Sequence, residues 1–130
     1  MSATAGFLVF LSSTLVLLGL VVATGLRAMR RWHIPLVVCA LASLAMTIRY
    51  ALLLGKLYDL QAAGAITPIH LTVARITTAC YLLPIATGIR TIFAPGTRKV
   101  HRRLAFLPLA MTVLTAITGT LMLCLAPRIG

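Results

Sequence analysis

Four apolar runs, residues 7–26, 34–57, 69–93 and 104–126, fill most of this 130-residue chain. Each holds roughly 20 residues or more, enough to cross a hydrocarbon layer of about 30 Å at about 1.5 Å per helical residue. Lipid offers no hydrogen-bond partner to a peptide group, so runs of this length are predicted to be helices. The expected fold is an all-α, integral membrane four-helix bundle, a single domain over residues 1–130. Composition points the same way. The chain is 61% apolar and only 10% charged, whereas about a quarter of the residues of a soluble domain are charged.

Charge then predicts direction. Twelve Lys and Arg stand against one acid, Asp59. Eight of the twelve lie in the first and third connections: Arg27, Arg30 and Arg31, then Arg90, Arg98, Lys99, Arg102 and Arg103. The positive-inside rule places both connections in the cytoplasm. The reading is two up-down hairpins with both termini on the outer side, in the inner (cytoplasmic) membrane of a bacterium. A net charge of +11 would suit nucleic acid in a soluble domain, but here the cations sit in short gaps between membrane-length runs. Lipids and other membrane subunits are the expected partners, and nucleic acid is not. Cys39, Cys80 and Cys124 have neither disulfide nor zinc spacing and read as small buried hydrophobes. The amino-terminal stretch MSATAGFLVF has no basic segment of the signal-peptide kind.

One phrase recurs. ATGLRAMRRWH at 23–33 and ATGIRTIFAPGTRKVH at 86–101 both run Ala-Thr-Gly-aliphatic-Arg, then a basic segment, then a histidine. The first part ends helix one or three, and His33 or His101 opens helix two or four. This predicts a parallel repeat of two hairpins. In an up-down bundle helices two and four lie diagonally with their first residues at one depth. His33 and His101 could then ligate a heme iron from both sides. The same residues, beside Trp32 and Arg102, also suit plain anchoring at the headgroup level.

A second polar group lies toward the other face. His70 opens helix three, Arg75 follows it, and Arg49 lies about 24 Å beyond His33 along helix two. An arginine within the bilayer costs from about 2.5 to well over 10 kcal/mol, so it needs a partner or must snorkel to headgroups. Asp59 cannot neutralise both Arg49 and Arg75. Lipid phosphate, heme propionate or an acidic residue of another subunit could supply the charge. His70 could act as an axial or copper ligand or as a proton carrier, with Met46 and Met122 as soft donors nearby. Gly25, Gly88 and Gly119 suit close helix contact. Pro84 and Pro108 should bend their helices.

No carboxylate pair, serine–histidine–acid set or phosphate loop is present, so enzymatic chemistry has little support. The contexts WHIPL (32–36), IHLTVA (69–74) and KVHRRLAFLPLAMTVLTAITGTLM (99–122) resemble a family of small four-helix membrane proteins of unknown function that includes the heme–copper oxidase maturation factor CtaM. His33, His70 and His101 fall on that family's three histidine positions. Leu104-Ala105, Pro108 and Thr118-Gly119 fit its tail. Leu109 stands where an aromatic is usual, and Arg49 and Arg75 lie outside the pattern. The resemblance spans about residues 27–123. It implies an assembly factor or accessory subunit of a respiratory or photosynthetic electron-transfer complex, assisting heme or copper handling. The alternative is a small b-type cytochrome whose heme b is held by His33 and His101.

Overall fold

The computed structural model describes residues 1–129; most of them are helical, and they contain no strand. Helix α1 spans Ala3–Leu26, α2 Arg30–Gly55, α3 Ile66–Cys80, α4 Leu82–Phe93 and α5 Arg98–Leu125, with a short 3-10 turn at Pro95–Thr97. Four elements are long and apolar enough to cross a membrane, α3 and α4 together forming one of them. The chain divides into two compact units. One is the α1–α2 hairpin, residues 1–58 with Ile129. The other is the α3/α4–α5 hairpin, residues 59–128.

The helices outrun their apolar stretches. α2 begins at Arg30 and α5 at Arg98, because the headgroup region solvates arginine side chains while the backbone ladder continues. His33 and His101 therefore do not open their helices. Each is the fourth residue of its helix. Pro35 moves with them, sitting one turn inside α2 instead of at its first residues. At Pro84 the expected disturbance is found: the element breaks at Tyr81 into α3 and α4. A proline three residues on lacks the N–H that the Cys80 carbonyl would accept, and its ring crowds that carbonyl. Pro108 leaves α5 continuous and is fully buried.

Large aliphatic side chains mostly point outward, among them Val16, Leu52, Leu82 and Val113. Most buried positions are instead small or hydroxylic: Thr14, Ala40, Ser43 and Thr47 in the first hairpin, Thr77, Pro108, Thr112 and Thr118 in the second. Lipid is as apolar as leucine, so a bilayer gives no drive to bury leucine, and helices associate through small residues and interhelical hydrogen bonds. Cys39 and Cys124 follow the same logic. Expected to be buried, both are exposed, and Cys80 is half-buried, because the hydrocarbon accepts a thiol as readily as a packed interface does.

The two hairpins share an internal plan. Adding 63 to a position in α1 gives its counterpart in α3/α4: Thr14 and Thr77, Leu18 and Tyr81, Thr24 and Thr87, Gly25 and Gly88. Adding 68 relates α2 to α5: Arg30 and Arg98, His33 and His101, Ala40 and Pro108, Thr47 and Thr115, Leu54 and Met122. Thr14, Leu18, Ala40 and Leu54 are buried, as are their counterparts. The central contact is also the same. The Thr14 hydroxyl donates to the Phe10 carbonyl at 2.7 Å and lies 3.0 Å from that of Thr47. The Thr77 hydroxyl lies 2.7 Å from that of Thr115. A double-mutant cycle on Thr14→Val and Thr47→Val should give a coupling of about 0.6 kcal/mol, and at most about 1.7. The Thr77–Thr115 cycle should match it. Reversible unfolding in mixed micelles reads both, and zero coupling in either hairpin removes its central hydrogen bond.

Candidate functional site

Three Thr-Gly dipeptides occur in the chain, at 24–25, 87–88 and 118–119, and there are three histidines. Each dipeptide holds one of them. In the first hairpin the ends of α1 and α2 meet across the tight connection 27–29, which turns through Ala28 at φ 60°. The His33 Nδ1 lies 3.0 Å from the Val21 carbonyl and 3.2 Å from the Thr24 hydroxyl. A carbonyl only accepts, so Nδ1 carries the proton and donates. The Thr24 hydroxyl spends its own hydrogen on the Leu20 carbonyl at 2.8 Å.

His101 repeats this geometry. Its Nδ1 is 3.1 Å from the Thr87 hydroxyl, whose hydrogen goes to the Leu83 carbonyl at 2.7 Å. His70 reaches it from the opposite end of the second hairpin, with the helices exchanged. Its Nδ1 is 3.0 Å from the hydroxyl of Thr118 on α5, which donates to Leu114 at 2.9 Å. The Thr115 carbonyl also faces this ring. It stands three residues before Thr118, as Val21 stands three before Thr24.

The glycine is the second half of each clamp. A Cβ at Gly25 would lie 3.1 Å from the His33 Cε1, one at Gly88 3.2 Å from that of His101, and one at Gly119 2.9 Å from that of His70. These three glycines therefore give up a methyl group to an imidazole, a more specific use than general helix contact. At each ring the proton is fixed on Nδ1, which makes Nε2 the lone-pair nitrogen. Ligating histidines adopt this arrangement, with the distal N–H tied to an acceptor that sets tautomer and orientation.

Donor chemistry narrows the metal. Heme iron takes a single protein imidazole per face. Zinc and copper sites gather three or four protein donors, and no group of three His, Cys, Asp or Glu lies together among the described residues. Each ring offers one lone-pair nitrogen, the number of protein donors that a heme iron takes on one face. Met122 is buried in the packing of α5.

The two intramembrane arginines stand apart from these clamps. Arg49 and Arg75 are both exposed on their helices, and neither has a hydrogen bond or ion pair among the described residues. Asp59 is used elsewhere. Its Oδ1 accepts from the backbone N–H groups of Gln61 at 3.2 Å and Ala62 at 3.3 Å, closing the turn after α2. The sequence reading paired His33 with His101 and set His70 apart, whereas all three rings share one kind of hydrogen bonding, Nδ1 to a threonine hydroxyl. What it missed is the partner. Thr24, Thr87 and Thr118 had no role in the reading of the histidines, although three Thr-Gly pairs for three histidines is a signal that counting finds.

Fold and site define a class: an all-helical membrane protein of two hairpins in which every histidine is clamped by a Thr-Gly pair of the helix packed against it. Comparison with protein families, with curated proteins and with solved structures finds no match.

Proposed function

We propose that this chain is a non-catalytic integral membrane protein, an assembly factor or accessory subunit of a respiratory or photosynthetic electron-transfer complex in a bacterial cytoplasmic membrane, and that it handles heme. One observation carries the reading. His33 and His101 occupy the same register of their hairpins, each with Nδ1–H held by the threonine, and its ring against the glycine, of the preceding helix. A headgroup anchor needs no fixed tautomer; an axial ligand needs its Nδ1 proton tied so that Nε2 keeps the lone pair, and the glycine lets the ring sit close against the neighbouring helix. Two further facts support it. Arg31 stands two residues before His33 and Arg102 directly after His101, and both offer bidentate bonds to propionates. Arg49 and Arg75 suit carboxylates presented by a neighbouring subunit. The likeness to the CtaM family is consistent with this role.

Heme supplies the redox chemistry when bound; the chain supplies orientation and an apolar surround. The test is titration of the detergent-purified protein with hemin, read against empty micelles. A Soret shift that saturates at a defined stoichiometry, and that shrinks in both His33→Ala and His101→Ala, is expected. Heme retained through purification would point to the second reading, a small b-type cytochrome. In the parent membrane, deleting the chain should lower the heme content of the complex it serves while leaving that complex's polypeptides in place. An unchanged pyridine-haemochrome yield from those membranes overturns the assembly role.

A further inference from the structure

The internal repeat makes the second hairpin's open end an anomaly. At the corresponding end of the first hairpin, one residue away from the register counterparts Phe7 and Ala51 of His70 and Gly119, Gly6 of α1 meets Tyr50 of α2, the tyrosine lying against the glycine and stacking on Phe10 with ring centroids 5.5 Å apart. That contact is apolar, and it closes the end of the hairpin. In the second hairpin the ring and the glycine change helices. Gly119 moves to α5, and the ring on α3 is an imidazole, His70. The rest of the clamp appears with it: Thr118 beside Gly119, its hydroxyl 3.0 Å from Nδ1, and the Thr115 carbonyl behind. A plain packing role requires a ring against a glycine, as Tyr50 provides. It does not require the threonine or a fixed Nδ1 proton. This end of the hairpin reproduces, in the opposite sense, the device that holds His33 and His101.

From this we infer that His70 is a separate heme ligand, a single axial imidazole at the end of the second hairpin opposite to His101. This deepens the proposed function and rests on it. Along α5 the Thr118 clamp is about 26 Å from His101, so one iron cannot take both. The chain then carries imidazole sites at two levels, and an iron held by His70 has this one protein ligand from its hairpin. The sixth position is left for an exogenous ligand, in the manner of proximal-histidine hemes.

The experiment uses the full-length protein in detergent with hemin as probe. In the His33→Ala/His101→Ala double variant, one equivalent of heme should still bind above the empty-micelle background. Its reduced form should take up carbon monoxide, with the corresponding shift of the Soret band. Adding His70→Gly to that variant should abolish the remaining equivalent, and millimolar imidazole should restore it. That rescue separates ligation from a merely structural contribution, because added imidazole does not repair a packing defect. Thr118→Val should weaken the same equivalent by about 10- to 100-fold, the usual loss when the partner of a ligating histidine is removed. Circular dichroism confirms that each variant keeps its helices. If the double variant binds no heme while the wild type does, the His70 inference fails and the proposed function stands. Retention of the equivalent in the triple variant without imidazole also overturns the inference. If the wild type binds none, both fall.

Discussion

Gly6→Ala should open the α1–α2 hairpin at its terminal end and lower its stability by about 1–3 kcal/mol, the range for forcing a methyl group into a filled interface. A Cβ at Gly6 falls on the Cδ1–Cε1 edge of the Tyr50 ring and close to Cζ. The ring cannot yield cheaply. It is stacked on Phe10 with an interplanar angle of 16°, and moving it forfeits that contact as well. The control is Gly19→Ala in the same helix, where nothing lies within 4 Å of the added carbon. There alanine should be neutral or stabilising by up to about 1 kcal/mol, through helix propensity alone. Unfolding of the purified protein in mixed micelles, followed by far-ultraviolet circular dichroism, reads both. Equal stability of the two variants would show that Tyr50 does not pack on Gly6.

Removing the hydroxyl that holds each basic-end histidine should have the largest effect on heme. Thr24→Val and Thr87→Val keep the shape of the side chain and delete the acceptor of the Nδ1–H bond. Each should lower hemin affinity by about 10- to 100-fold, which is about 1.4–2.7 kcal/mol. His33 retains the Val21 carbonyl at 3.0 Å, so Thr24→Val should fall toward the lower end of that range. For His101 the Thr87 hydroxyl accepts at Nδ1, and Thr87→Val should fall within the same range. Nitrogen-15 spectra of the histidine rings supply a second readout. In the apo protein, rings held through Nδ1–H show the Nδ1-protonated tautomer, and Thr87→Val should shift His101 toward a mixture. Affinity unaltered by either substitution would reduce the clamps to packing devices.

The arginines test the electrostatic side of the same picture. Both are exposed, and the sole carboxylate of the chain is bonded to the backbone of its own turn. The bilayer cost of an unpaired guanidinium therefore has to be met from outside the chain. A partner's carboxylate would meet it within the proposed complex, and lipid phosphate would meet it outside.

Much of this was readable from residues alone, for a simple reason. Hydrocarbon admits a backbone only as a helix or a closed barrel, so four apolar runs of membrane length specify helices without reference to packing. The repeated ATG-aliphatic-Arg phrase likewise announced the hairpin repeat, because equal spacing from a shared turn carries over into equal register. The helix starts were misjudged by a few residues, as hydropathy follows side chains and the headgroup region lets the backbone ladder continue through Arg30 and Arg98.

Tertiary structure alone decided what the histidines touch. Thr118 and Gly119 are 48 and 49 residues from His70 in sequence, and only the antiparallel pairing of α3 with α5 brings them together. The Tyr50 ring meets Gly6 for the same reason, across 44 residues. Sequence fixed the identity of these groups, but a hydrogen bond of 3.0 Å and a missing methyl group are matters of register between helices. Register follows from the small and hydroxylic residues that the two surfaces share, and those are legible only once the surfaces are paired.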